Sequence, residues 1–311
     1  MEPIVVEAMR GGVVESRHRV HAVAVRRGEI VASAGDPHLV TFFRSSAKPI
    51  QAVPVARARP DLTDEEIAIA CASHLARPEQ LGCVRSLLAK APASEDELEC
   101  GPEPTPLAHN CSGKHAAMLA LCRARGWPSE GYSLLGHPCQ DATLAAVAEA
   151  AEVDPAGVPT AVDGCGVVTF ALPLERMANA FARLEALDGG AHVADAMRAH
   201  PDLVRGPRTA DAMLMKELPG WIAKLGAEGL LCAASPDGFG VAVKVEDGAM
   251  RAVGVALTTF LTGLGIDAGE LGQNAIESSR GDVVGEVRAR PSGLSARGTF
   301  GSDLPETAWS D

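Results

Sequence analysis

Apolar and polar positions change rhythm several times along the chain. Near the N-terminus "IVVEAMRG" alternates imperfectly, and "HRVHAVAVR" and "EIVASAG", joined by "RGE", predict a β-hairpin. "HLVTFFR" predicts another short strand or an extended lead-in. A helix is expected to start close to Ser46 or Ala47, because Pro49 is tolerable only in a first turn. "TDEEIAIACASH" opens on Thr63 with Glu66 three residues later, a capping box. "RPEQLGCVRSLLAKA", "SGKHAAMLALCRARG" and "CQDATLAAVAEAAE" keep helical spacing, and Gly126 closes the second of them. "TAVDGCGVVTFALP" reads as a strand interrupted by glycines. "LERMANAFARLEAL", "HVADAMRAH" and "TADAMLMKELPGWIAKLG" read as helices. "GLLCAASPDGFGVAVKVEDGAMRAV" alternates around two turn signals, Asp237-Gly238 and Asp247-Gly248. A helix around Val253 to Leu264 and a short one near Glu270 to Ser278 complete the core. Residues 289–311 are rich in Gly, Ser, Pro and Arg, lack periodicity, and read as a disordered tail. Strands at both ends with helices between them predict an α+β fold, an antiparallel sheet built from both chain ends and flanked by helices, in one domain over residues 1–288.

Composition narrows the function. The net charge of −12, the absence of any Lys/Arg run and 4% aromatics argue against nucleic-acid binding. Glu2 and Pro3 stand where a basic leader segment would begin, and "AVGVALTTFLTGLGI" is too short and too broken by Gly and Thr to span a bilayer. A cytoplasmic protein with no membrane partner is therefore expected. In that compartment the eight cysteines are expected as free thiols or metal ligands rather than disulfides.

The candidate chemistry falls into two features. In "RSSAKP", Ser45 and Lys48 are three apart and face one side of a helical turn. A lysine is a poor base while charged, but burial near other cations lets it accept a serine proton, and the helix start offers N–H groups to an oxyanion. The competing reading is an N-cap serine with a surface lysine. Ser73 in "CASH" and Lys244 in the apolar run "GVAVKVED" are further candidates; the alternatives are a helix-end polar cap and an edge lysine that guards against aggregation. The second feature is "NCSGKH". Cys111 falls at a helix N-terminus, where the dipole lowers a thiol pKa, and Cys165 lies between glycines in "DGCGV". Two thiolates and a nitrogen make a plausible open zinc set, with His115 as the expected nitrogen ligand and Asp163 as outer support. The competing reading is merely buried thiols. The signature of zinc-dependent nucleobase deaminases is absent.

Taken together, "RSSAKPIQA", "CASH", "HNCSGKHAAML", "VDGCGVVTFALPL", "KLGAEG" and "VAVKVEDG" resemble the L-asparaginase II family of the rhizobial type, over about Met1 to Arg288. The resemblance implies a serine-β-lactamase-like fold, a homodimer, and hydrolysis of L-asparagine to L-aspartate and ammonia. It implies two Ser-Lys pairs, matched here by Ser45 with Lys48 and by Ser73 with Lys244. It also implies zinc (Zn2+) held by Cys111, Lys114 and Cys165, so that Lys114 replaces His115 as ligand. His115 then becomes a neighbour of the metal and, with Arg44 and Asp163, lines the substrate pocket. Ser45 is the expected nucleophile, Lys48 its base, and Arg44 the group that holds the substrate carboxylate. The family is expected to read "ASHSGE" where this chain has "ASHLARP", so Leu75, Ala76 and Arg77 depart from it. Two other readings stay open: another Ser-Lys hydrolase of the penicillin-recognising fold, against which the chain lacks a clear S-D-N followed by K-T-G, and a non-catalytic zinc-binding relative.

Overall fold

A computed structural model describes residues 1–102, 104–271 and 274–290, together with the backbone of 295–296. The chain opens on β1 (Ile4–Arg10), β2 (Val13–Arg26) and β3 (Glu29–Ala34), followed by the short β4 (Val40–Phe42). A 3₁₀ turn over Arg44–Ala47 then leads into α1 (Lys48–Ala58). Next come α2 (Asp64–Ala70), α3 (Pro78–Lys90), α4 (Ser112–Arg125) and α5 (Pro138–Ala151). The chain then runs through β5 (Thr160–Val162), β6 (Val168–Pro173), α6 (Leu174–Arg183), α7 (Gly190–Ala199), α8 (Pro201–Val204) and α9 (Ala210–Glu217). It returns as β7 (Ile222–Gly226), β8 (Leu230–Ala234), β9 (Phe239–Val245), α10 (Arg251–Gly263), β10 (Ala275–Glu277), β11 (Val283–Ala289) and β12 (Ser295–Ala296).

The main sheet runs β10-β11-β1-β2-β9-β8-β7, with β3 and β12 added beside β2, and every pairing among the described residues is antiparallel. Both chain ends build it, as the α+β reading requires. Helix α6 packs on β2, β8 and β9, and α10 on β1, β2, β9 and β11. Gly240 lets α6 approach: a Cβ there would lie 2.0 Å from the Ala178 carbonyl oxygen. The helices α1 to α5 and α7 pack among themselves beside the sheet. The local signals carry over, with the capping box of Thr63 and Glu66 formed and Gly126 ending α4 in the left-handed conformation.

Three expectations change. The run "TADAMLMKELPGWIAKLG" is not one helix: Pro219 and Gly220 stop α9, and Ile222–Gly226 pairs with β8 instead. The short helix near Glu270 to Ser278 is replaced by β10, which pairs with β11. The interrupted strand is two strands, β5 and β6, paired across a turn at residues 163–167. The tail expectation lies largely outside the described residues, but Ala289 ends β11, Arg290 N–H donates to Val5 O (2.8 Å), and Ser295–Ala296 pairs with β3.

Candidate functional site

A small second sheet, β4-β6-β5, brings the two sequence features to one place. Strand β4 delivers Arg44 and Ser45; strand β5 delivers Asp163, Gly164 and Cys165. Phe43 N–H donates to Phe170 O (2.7 Å) and Arg44 N–H to Thr169 Oγ1 (3.3 Å), both on β6. Arg44 sits at φ +49°, a left-handed conformation that costs on the order of 1 kcal/mol in a non-glycine residue. It holds its place through Nε, which donates to Asp163 Oδ1 at 2.7 Å. This ion pair joins the serine-bearing turn to the cysteine-bearing turn. It also occupies part of the guanidinium expected to hold substrate.

The side chain of Lys48 is the hub. It is fully buried, and its Nζ donates to Ala72 O (2.5 Å), Ser73 Oγ (3.0 Å) and Cys111 Sγ (3.2 Å). Cys111 in turn hydrogen-bonds Cys165, and Lys114 Nζ donates to Cys165 Sγ at 3.1 Å. Ser73, Lys48, Cys111, Cys165 and Lys114 therefore form one continuous buried chain of hydrogen bonds, where the sequence shows two separate features. The half-buried Ser45 hydroxyl, one turn before Lys48, accepts and donates no hydrogen bond among the described residues, so it is free to meet a ligand.

Electrostatics separates the two thiols. The hydrogen bond from Cys111, helped by the Lys114 ammonium and by His115, holds Cys165 far below the ordinary thiol range against the effect of burial. The same bond, with burial, pushes Cys111 well above it. Burial alone would lower Lys114, but Cys165, Cys111 and Asp163 overcome it and raise its pKa. Both shifts favour the thiolate of Cys165 beside the ammonium of Lys114. His115 behaves differently: burial lowers its pKa, and Nδ1 takes a hydrogen bond from the Tyr132 hydroxyl (2.8 Å), which itself accepts from Glu99 N–H. Its Nε2 is buried without a nitrogen or oxygen partner and faces Cys165.

The donor chemistry fits a soft divalent metal such as zinc: two sulfurs and one amine, with the surroundings of Cys165 favouring its ionised form. Among the described residues, no three His, Cys, Asp or Glu side chains stand together to hold a metal, and the nitrogen hydrogen-bonded to Cys165 is Lys114 Nζ. Binding would require Cys111 and Lys114 to lose their protons.

Lys244 is not brought to Ser73. Its Nζ donates to Glu228 O (2.6 Å) in the β7–β8 turn and to Val245 O (2.5 Å), the next carbonyl at the end of β9. The second lysine at the site is Lys224 of β7. It is fully buried, 3.4 Å from Asp211 Oδ2, and donates to Leu225 O at 2.8 Å. Ser46 Oγ donates to Lys224 O (2.9 Å), and Gly226 lies so close that a Cβ would sit 2.7 Å from Ser46 Oγ. Burial, only partly offset by Asp211 and reinforced by the charge of Lys48, brings Lys224 down to about 8. The signal was present as "KLGAEG", but the preceding helical run absorbed it. His74, beside Ser73, is neutral: Nδ1 accepts from Ala76 N–H, Nε2 faces Ser112 Oγ at 2.8 Å, and burial brings it to about 4.

Among solved structures, a β-lactamase from Mycobacterium bovis matches at 14% identity with a TM-score of 0.34, covering 78% of this chain and 94% of that one. A β-lactamase from Desulfarculus baarsii matches at 16% identity with a TM-score of 0.34, covering 75% of this chain and 85% of that one. The α+β description rests on the sheet topology of this chain itself. No curated protein sequence matches significantly. The sequence pattern of one family, L-asparaginase II, matches residues 6–289, and with nearly the whole chain covered the protein belongs to the L-asparaginase II family.

Proposed function

We propose that the protein hydrolyses L-asparagine to L-aspartate and ammonia on a serine nucleophile served by buried lysines. The observation that carries this reading, beside family membership, is the buried chain from Ser73 through Lys48 to the thiols, adjoining a free Ser45 hydroxyl. Ser45 Oγ attacks the side-chain carboxamide carbon while a neutral lysine amine takes its proton. That proton leaves with the amide nitrogen as ammonia, and the carbon–nitrogen bond breaks to give an ester on Ser45. Water, deprotonated by the same amine, then attacks the ester and releases L-aspartate. Lys48, one turn from Ser45, is the base once it has given up one of the three protons it donates to Ala72 O, Ser73 Oγ and Cys111 Sγ. Lys224, at about 8, is the lysine most easily neutral near physiological pH, and it replaces Lys244 in the second role. Ser73, held by Lys48, passes protons between them or assists deacylation.

The reading includes a zinc ion held by Cys111, Lys114 and Cys165. When bound, it would supply positive charge to orient the substrate. The Asp163–Arg44 pair ties this site to the nucleophile turn. The test is ammonia release from L-asparagine by the wild type and by Ser45→Ala. Full activity in Ser45→Ala would remove Ser45 as nucleophile, and no ammonia from the wild type would remove the reaction.

A further inference from the structure

A groove of about 470 Å³ lies between the start of α9, the start of α10 and strands β10 and β11; it borders Lys224, because Leu225 lines it and the Leu225 carbonyl accepts from Lys224 Nζ. Its floor is apolar, built by Leu225, Val253, Leu271, Ile276 and Val287. Arg205, Arg208 and Arg251 stand around it, and among the described residues no acidic side chain lines it. That is unusual for a chain with 40 acidic and 28 basic residues. Arg251 is engaged: its Nε donates to His18 Nε2 (3.0 Å) and its Nη2 to Ser16 Oγ (2.7 Å). Arg205 and Arg208 are not. Among the described residues neither guanidinium has an ion pair or a hydrogen bond, whereas most arginines of the chain have a carboxylate within 4 Å.

Two unpaired guanidiniums over an apolar floor are matched by one kind of small molecule. The guanidinium fork pairs with an oxyanion, and the floor takes an apolar body. The volume falls in the range of small-ligand pockets, about 300–1,000 Å³. A purely apolar ligand would leave both arginines unused; inorganic phosphate would leave the floor wet. Asp211 makes its hydrogen bonds to Lys224, Leu225 N–H, Ala212 N–H and the Thr209 hydroxyl, and it feels the charge of Arg205 without forming an ion pair with it.

We propose that this groove is a binding site for a small organic oxyanion with an apolar body, a medium-length carboxylate being the simplest case, held by Arg205 and Arg208 over the floor formed by Leu225, Val253 and Ile276. Binding does not depend on the asparaginase reading and is measured without it. Octanoate, octyl phosphate, octanol and inorganic phosphate are titrated calorimetrically into the full chain. Octanoate is expected to bind at least about tenfold more tightly than octanol or inorganic phosphate. Octyl phosphate shows whether a phosphate ester serves as well as a carboxylate. The paired variant Arg205→Gln/Arg208→Gln is expected to weaken octanoate about tenfold or more while leaving octanol unchanged. Ile276→Glu is expected to abolish octanoate binding by placing an acid in the floor. Circular dichroism and thermal melts establish that both variants are folded. Equal affinity for octanoate and octanol, no octanoate binding at millimolar concentration, or undiminished binding by the folded double variant would each overturn the site.

Discussion

Two lysines sit on the same face of the same sheet and do different things. Cys232 of β8 lies opposite Lys224 on β7 and opposite Ala242 on β9, and Lys244 is two residues beyond Ala242, so both lysine side chains leave the sheet on one side. They differ by one row. Lys224 lies in a row closed on every side, facing Asp211, with Ser46 bonded to its own carbonyl. Lys244 lies at the strand end, where Glu228 O of the neighbouring turn and Val245 O of its own strand accept from it. The first is a buried charge displaced toward neutrality. The second ties a hairpin together. Burial and position in the register, rather than a lysine in an apolar strand, set the two apart.

Exchanging each lysine for methionine, which keeps the bulk of the stem, is the sharpest way to break this contrast. Loss of a proton-transfer group costs about a hundred- to ten-thousandfold, so Lys224→Met should lower kcat for ammonia release by about a thousandfold. Lys244→Met should leave kcat within about threefold and instead cost about 1–2 kcal/mol of stability, because two carbonyls lose their donor. Equal losses of activity in the two variants would end the distinction, and so would an intact Lys224→Met.

The pH profile tests the same contrast through charge. Lys224 is lowered from 10.5 to about 8, so the folded enzyme holds its neutral amine above about pH 8 and loses it as pH falls. The kcat/KM should rise about tenfold per unit toward pH 8 and level off above it. Asp211 raises the pKa of Lys224. Asp211→Asn should therefore move the midpoint to lower pH. A midpoint that stays in place in Asp211→Asn would show that another group sets it, and a midpoint that rises would contradict the sign.

Much of the fold was legible because its signals are local: the Thr63–Glu66 cap, Gly126 after α4, and the Asp-Gly turns. The misreadings are of another kind. "WIAKLG" and "NAIES" are short segments whose apolar pattern suits either element, and what makes them strands is pairing with β8 and β11, which no window of sequence contains. The site follows the same division. Cys111 and Lys114, three apart on one helix, could be seen as neighbours. The contacts from Lys48 to Ser73, 25 residues apart, and to Cys111, 63 apart, could not. Nor could the different surroundings of Lys244 and Lys224, because they rest on register.

The thiol end offers a smaller contrast between two adjacent residues, Lys114 and His115. Lys114 donates to Cys165 directly, while His115 bonds Tyr132 through Nδ1 and only faces Cys165 with Nε2. Zinc content after metal-free preparation and titration should fall at least about tenfold in Lys114→Met, the loss of a ligand, and by less in His115→Gln, the loss of a neighbour. The reverse order would restore the histidine as ligand.

The smallest effect belongs to the loop after Ser73, where the chain departs from the family pattern. The glycine expected in "ASHSGE" corresponds to Ala76, and Ala76 has φ +55°, a conformation glycine adopts without strain and alanine does not. The loop is held in that shape all the same: Gln80 Oε1 accepts from Leu75 N–H (3.0 Å) and Arg77 N–H (3.2 Å), and His74 Nδ1 accepts from Ala76 N–H (3.1 Å). The strain is therefore retained by its neighbours rather than relaxed. Ala76→Gly should relieve about 1–2 kcal/mol of left-handed strain and return about half of that to the greater freedom of glycine in the unfolded chain. A rise of about 1–3 °C in Tm is expected, with KM for L-asparagine unchanged within about twofold because the hydrogen-bonded loop keeps its path. A lower Tm would show that Ala76 is unstrained. A large change in KM would show that the Leu75–Arg77 departure sets substrate preference through backbone shape rather than through its side chains.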